Sequence, residues 1–327
     1  MLIATCRAQS IGRSVLTPSR TFELGTRLAA ECLTDEALAS PVRFLSDSLC
    51  LGRASGTAGA VESSLWIARQ YEHIGLMPMG DSFFKSFTAG GKACRNVVGF
   101  CPSPVFSDDY IIVMAHYDHV GILANRYYPG ADSNASGVSA MLNLARIFCR
   151  MLPYGPAFKS NLIFVALDGN KLSMSGAEDL CRSISGMSLF NPATGRAITP
   201  KRVSMVVNLD IIGSSLEPVH GGRRDYLIML STDKALERSL RDANISARTF
   251  MDLSYDYYGS KEFTDLFLRR IGDQKVFIDH GIRSVLFTSG ITMDTNKVTD
   301  TANAIDLPVL ARRTQLIFRW LESVLVP

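Results

Sequence analysis

Tyr110-Ile111-Ile112-Val113-Met114-Ala115-His116-Tyr117-Asp118-His119 is the stretch on which the reading of this chain turns. Its first six residues carry no charge and do not alternate apolar with polar, as a strand with one wet face would. That is the pattern of a strand covered on both sides. The run then breaks into imidazole and carboxylate groups, which places polar chemistry at the carboxyl end of the strand. The same switch occurs twice more. Asn161–Leu167 (NLIFVAL) runs into Asp168-Gly169, and Val203–Leu209 (VSMVVNL) runs into Asp210. Residues 96–100, residues 226–230 and Ser284–Thr288 are further strand candidates. Helical spacing of apolar residues predicts helices over 62–75, where Gly75 is the stop, over Ser136–Met151, over 173–183 and over 308–325. Short helical patterns fill 22–50, and the small-residue segment 46–60 reads as a loop. Short strands separated by helices of ten or more residues predict an α/β fold of three layers, with helices around a central mixed, mostly parallel sheet. In such folds ligands collect at the carboxyl ends of the central strands.

Composition narrows the function. The chain has 327 residues, 47% hydrophobic and 20% charged, which suits a folded domain and excludes disordered or collagenous classes. Its 34 Lys+Arg against 31 Asp+Glu leave a formal charge of +3, and no basic run exceeds two residues. Nucleic acid is therefore not an expected partner. No stretch approaches 18 consecutive apolar residues, so no transmembrane helix is expected. The 7 cysteines lack Cys-x-x-Cys spacing, which argues against a zinc ribbon or a redox pair of that type. Cys149 falls on what reads as a buried helix face, where a core role is expected. Met1 to Ala8 (MLIATCRA) has the apolar patch and small residue of an export-signal remnant without its basic start. The expected organisation is an extension or signal remnant over 1–21 followed by one domain over 22–327.

The residues after the strands are hard donors. His116 with Asp118, then Asp168 and Asp210, and Asp132 in Gly130-Ala131-Asp132-Ser133-Asn134-Ala135-Ser136-Gly137 would suit zinc or manganese. Asp is also a common helix cap and turn former, so on this pattern alone a structural role stays open.

Taken together, His116-Tyr117-Asp118, Gly130 to Gly137, Asp168-Gly169 and Asn208-Leu209-Asp210-x-Ile212-Gly213 resemble the M28 family of zinc aminopeptidases. The resemblance extends upstream through Gly52 to Gly59 and Asn96-Val97-Val98-Gly99, and downstream through Gly281 to Phe287 and Asp300-Thr301 to Asp306, covering roughly 40–325. It implies a zinc-aminopeptidase-like, phosphorylase/hydrolase-like fold holding two zinc ions bridged by a carboxylate and an activated water. It further implies His116 and Asp210 as ligands of one ion, Asp132 as the bridge, and Asp118 as the carboxylate that orients the histidine.

The pattern departs from the family at three places. Where the family has a general-base Glu and then a ligand Glu, this chain has Asn170 and Lys171. Where it has a final His ligand, four residues before Asp-Thr, this chain has Asn296. Where the bridging Asp is followed across a cis peptide by a second Asp, this chain has Ser133. An amide cannot take a proton from a metal-bound water, and an ammonium cannot ligate. Loss of two-zinc peptidase activity is therefore expected, with the Lys171 ammonium either approaching Asp132 in place of the missing ion or, as the alternative, turned into solvent. No bound cofactor is the expectation, and a single zinc on His116, Asp132 and Asp210 is the alternative. The remaining cleft, with His119, Ser133, Asp168 and Tyr255 on its walls, would hold a peptide or another small molecule. Loop tyrosines Tyr117, Tyr127, Tyr128, Tyr257 and Tyr258 are further candidates for its lining. An active hydrolase with one ion, and Asp168, Asp118 or His119 as substitute base, is the alternative, and a purely structural role is the third reading. His73, His220 and His280 read as structural or exposed. The family resemblance and the N-terminal segment together suggest a periplasmic or extracellular location, and neither identifies an oligomeric state.

Overall fold

In the computed structural model the residues described are 15–215 and 224–326. The N-terminal segment Met1 to Ala8 and His220 lie outside them. The first helix, α1 (Pro18–Cys32), starts where Thr17 accepts a hydrogen bond from the Arg20 amide and Pro18 supplies a preset φ at the first helical position. It buries Leu24, Leu28, Ala29 and Cys32 at helical spacing. Upstream of it the Leu16 amide bonds to the Gly155 carbonyl. The helix α2 (Asp35–Leu45) follows. Residues 46–60, expected as a loop, instead hold a short 3-10 segment, Ser48–Arg53, and the start of α3 (Ala58–Ile74), which Gly75 ends in the left-handed conformation at φ 89°. Contact is close at that entry, because a Cβ on Gly59 would lie 1.8 Å from the Cys50 carbonyl oxygen.

The strands are β1 (Met77–Pro78), β2 (Phe84–Ala89), β3 (Lys92–Cys101), β4 (Tyr110–His116), the small hairpin β5 (Gly121–Leu123) and β6 (Arg126–Tyr128), β7 (Asn161–Leu167), β8 (Val203–Leu209), β9 (Tyr226–Ser231), β10 (Asp252–Ser254) and β11 (Ser284–Thr288). Between them run α4 (Ser136–Met151), α5 (Ser175–Ser185), α6 (Lys234–Ser246), α7 (Lys261–Arg269) and α8 (Gln274–Asp279), and α9 (Leu307–Leu325) closes the fold. Apart from the hairpin, these strands make one mixed sheet in the order β1-β3-β7-β4-β8-β11-β9-β10, with β2 also on β3. Pairing is parallel through β7-β4-β8-β11 and antiparallel at β3–β7 and β11–β9.

The lack of alternation in β4 now has its cause. Ile111, Val113 and Ala115 pack into the core under α1, α2, α3, α4 and α9, while Ile112 and Met114 face the second core, built with α5 and α8. Each such fully buried aliphatic side chain contributes about 1.5–3 kcal/mol. A third, smaller core joins β9 to α7 through Ile228, Leu230 and Leu268. Cys149 lies at the margin of the first core, half-buried, rather than inside it.

The α1–α9 seam carries a charge. Glu322, 4% exposed, accepts a bond from Arg319 Nη1 at 2.5 Å and leaves Oε1 without a partner, and Arg319 also bonds to the Phe22 carbonyl and to Thr26. Burial outweighs the Arg319 cation and pushes the Glu322 carboxyl up to about 7. A folded-state value above the unfolded one means that this contribution is complete below about pH 4.5 and is lost as the pH rises to about 7. Urea unfolding should therefore show stability falling across that window by on the order of 1 kcal/mol per pH unit. Glu322→Gln should flatten the dependence, and an unchanged slope in the variant would assign it to other groups.

Candidate functional site

Three parallel strands deliver the site. Because β7, β4 and β8 lie side by side and end together, His116, Asp168 and Asp210 arrive at one edge of the sheet. His116 is 1% exposed. Its Nδ1 lies 3.0 Å from the Asp118 carbonyl and 3.6 Å from Asp118 Oδ1, and its Nε2 lies 3.4 Å from Asp210 Oδ1. Burial would push the imidazole pKa down, but Asp210 and Asp118 override it and raise the value to about 10. Asp210 is held below the usual carboxylate range, because His116 outweighs the cost of burial. The pair is a buried imidazolium–carboxylate contact.

Asp118 accepts the backbone N–H of Asn170 on one oxygen and of Lys171 on the other, each at 3.0 Å, and lies 3.3 Å from the Ser55 hydroxyl, whose one proton is nearer Asp168 at 2.7 Å. Burial raises its pKa, but the bond and charge of His116 and the Lys171 amide bring it below the ordinary value. Asp168 is equally committed, to the Ser55 hydroxyl, the Arg95 and Gly169 amides and the Tyr117 hydroxyl. It braces loops and is 1% exposed, so it does not line a cleft. A Cβ on Gly176 would sit 2.1 Å from the Asp168 carbonyl, which fixes how closely α5 approaches this strand end.

Asp132 stands in the loop ahead of α4, and among the described residues no hydrogen bond or ion pair joins it to His116. It accepts the Ser136 hydroxyl at 2.9 Å, the Gly213 amide at 2.7 Å and the Ser214 hydroxyl, and its own amide donates to Asp300 at 2.7 Å. The cis peptide of this loop joins Ser133 to Asn134, one residue beyond the place that the resemblance implied. The expected Lys171–Asp132 contact is not formed either. Among the described residues Lys171 makes no ion pair and its side chain is exposed; the His116 imidazolium is the cation in contact with Asp118 and Asp210, and the Lys171 ammonium acts on both carboxylates at longer range.

Asn170 is turned toward a residue that the sequence reading missed. Its Nδ2 donates to Asp273 Oδ2 at 2.9 Å, and Asp273, fully buried just ahead of α8, leaves Oδ1 without a partner. Burial pushes the Asp273 carboxyl up to about 6. A Glu at 170 would face a second buried carboxylate, so the amide suits its neighbour. A lone Asp amid Gly272 and Gln274 carries no sequence signal for this role. Asn296 stands in an exposed turn at φ 58° and bonds to none of these groups. His119 is buried with both ring nitrogens unpartnered, and burial together with the Arg53 cation holds it neutral. Ser133 is buried beside it. Tyr255 donates its hydroxyl to the Glu237 carbonyl, and Arg241 lies over its ring. Tyr117 and Tyr127 likewise brace loops, through Arg95 and Ser46.

A cavity of about 590 Å³ lies alongside, lined by Asp35, Asp132, Ser214, Arg224, Asp300 and Asp306 among others. His116, Asp118, Asn170 and Asp210 are not part of its wall. Among the described residues no three or more His, Cys, Asp or Glu side chains converge so as to hold a metal ion. The groups present therefore do not fit the two zinc ions that the resemblance implies.

A parallel-centred sheet flanked by helices, with His and Asp at its carboxyl edge, defines the aminopeptidase class of α/β folds. The match to known proteins is specific: the sequence profile of peptidase family M28 aligns with residues 96–321, and the chain belongs to that family. The LapA aminopeptidase of Legionella pneumophila superposes with a TM-score of 0.71 at 14% identity, covering 97% of this chain and 78% of that one. A glutaminyl cyclase from Macrostomum lignano gives 0.69 at 14%, covering 97% and 96%. Both show the shared fold. Among curated relatives, the BOS complex subunit NCLN of Mus musculus is 25% identical over 231 residues, 66% of this chain and 37% of that protein. This chain thus spans well under two thirds of that relative. No helix among the described residues is long and apolar enough to cross a membrane.

Proposed function

We propose that this chain is an M28 domain that no longer performs two-zinc peptide hydrolysis and acts by binding. One observation carries the reading: His116 and Asp210, the two retained donors that meet, are paired with each other, while Asp132 is committed to Ser136, Gly213 and Ser214. The substituted positions support it, since Asn170 and Lys171 present an amide and an ammonium where a base and a ligand would be needed. The single-ion alternative loses support from the same geometry. Each oxygen of Asp118 and Asp168 already accepts a hydrogen bond, and His119, the candidate base with free nitrogens, is sealed at 1% exposure.

A peptide or small molecule is one occupant of such a domain. Burial of His116, Asp118, His119 and Ser133, and a curated relative named as a subunit of a complex, favour a second mode in which the domain binds another protein. Elemental analysis after zinc incubation, run beside an aminopeptidase assay on the same sample, tests the loss of hydrolysis. The expected result is well under one ion per chain and no turnover above background. A tightly held ion with turnover abolished by chelation would overturn it.

A further inference from the structure

The sheet has an open edge beside the site. β2 pairs with β3 alone, through a turn of two glycines, Gly90 at φ 55° and Gly91 at φ 73°, whose left-handed backbone suits a tight hairpin. Such a turn makes its flanking pair, Ala89 and Lys92, a hydrogen-bonded one. By alternation the pairs Phe87–Cys94 and Lys85–Asn96 are bonded as well, and the backbone groups of Phe84, Ser86 and Thr88 point away from β3. Two bonds on the partner strand fix this parity. Arg95, opposite Ser86, donates its amide to Asp168 at 3.0 Å and accepts the Tyr117 hydroxyl on its carbonyl at 3.0 Å, so both groups are used on the side away from β2. The outward Phe84 amide is taken by the Ser82 hydroxyl at 3.2 Å. Those of Ser86 and Thr88 have no partner among the described residues, and both residues are exposed.

Charge and position narrow what could pair there. Between 81 and 95 the chain carries Lys85, Lys92 and Arg95 against Asp81, and among the described residues none of the three cations is in an ion pair. They serve both faces of the strand. Arg95 lies 5.5 Å from the centre of the Phe84 ring on the face shared with Ser86 and Thr88, and Lys85 projects from the opposite face. A second copy of β2 laid along this edge would set lysines against lysines, which opposes self-pairing. A strand with acidic side chains meets no such penalty. Phe87, on the Lys85 face, reaches the turn after β7, where its Cζ lies 3.7 Å from the place a Cβ on Gly169 would take. The edge therefore adjoins the loop that carries Asn170.

We infer that the outer edge of β2 takes an extended, acidic segment of a partner protein as an added strand of the sheet. The inference rests on the reading of this domain as one that binds protein, and it names the surface and the chemistry of the partner. Ser86 and Thr88 each supply a backbone donor and acceptor, and Lys85, Lys92 and Arg95 select acidic side chains.

The test uses the full chain with a capped hexapeptide alternating glutamate and valine, beside its lysine–valine counterpart, and reads hydrogen exchange at single amides by NMR. The glutamate peptide should bind saturably and slow exchange at Ser86 and Thr88, and the lysine peptide should do neither. Ser86→Pro removes one outward N–H while keeping the bonds to β3, and should weaken binding by about tenfold. Lys85→Glu combined with Lys92→Glu, which leaves the strand backbone intact, should reverse the preference between the peptides. Binding that leaves Ser86 and Thr88 unprotected would overturn the edge assignment while the reading of a protein-binding domain stands. Failure of the glutamate peptide to bind at millimolar concentration would overturn the inference, as would dimerisation that protects the same amides without peptide. Capped ends keep the probe from aminopeptidase action, so residual hydrolysis is scored separately in the zinc assay.

Discussion

Arg53→Met is expected to cost about 4 kcal/mol of folding stability, a loss reserved for a short list of buried-network failures. Arg53 is fully buried and, among the described residues, makes no ion pair with a carboxylate. Its guanidinium instead donates to four backbone carbonyls: Nε to Tyr117 at 2.6 Å, Nη1 to Leu45 and to Pro129, and Nη2 to Gly130 at 2.9 Å. Those acceptors belong to α2 and to the two loops that carry Asp118 and Asp132. Methionine keeps much of the volume and removes every donor, leaving the Tyr117, Leu45 and Pro129 carbonyls without this partner, each worth roughly 1–3 kcal/mol when unsatisfied, while the Gly130 carbonyl keeps the Ala135 amide. The sum is reduced because the buried cation itself is unfavourable, which is why its pKa is lowered by burial. Urea unfolding measures the difference, with Arg43→Ala as a control. Arg43 is half-exposed and paired with Glu36 at the surface, so its loss should be no more than about 0.5 kcal/mol after screening. An Arg53→Met midpoint near that of the natural protein would show that water satisfies the carbonyls and that the residue does not hold the loops.

Arg53 also shows what sequence can and cannot convey. The strands β4, β7 and β8 were legible because burial on both faces leaves an unbroken apolar run, and α4 because its apolar spacing matches the helical period. Short elements such as β2 and β10 escaped, since they are only partly buried and carry no apolar run, and α8 escaped because six residues are too few to show a helical period. At the site, His116, Asp118, Asp168 and Asp210 were legible as polar residues terminating apolar strands, and the parallel register does bring His116 and Asp168 to one edge. The direction in which Asp132 points was not legible. A carboxylate in a loop is aimed by whichever donors reach it, and Gly213 and Ser214 lie some eighty residues away. Asp273 was invisible for the same reason, because only folding places it against Asn170.

Breaking the central pair is the remaining large effect. His116→Ala is expected to destabilise by about 3 kcal/mol, because it leaves Asp210 facing Asp118 and Asp273 without the cation between them. Asp210→Asn should cost a similar amount by leaving a buried imidazolium facing an amide. The double variant should cost less than the sum, giving a coupling of about 2–3 kcal/mol in a double-mutant cycle. Zinc makes the same cycle informative about function. Ligation needs a neutral imidazole nitrogen, whereas the charges of Asp210 and Asp118 outweigh burial and raise the His116 pKa to about 10. Added zinc should therefore shift the Tm of the natural protein by no more than about 1 °C. A saturable zinc-dependent rise in Tm, lost in His116→Ala, would mean that the ion displaces the proton and that the pair is a metal site in its resting state. A coupling near zero would mean that Asp118 alone keeps the imidazole charged, and that Asp210 is free to meet a ligand from outside.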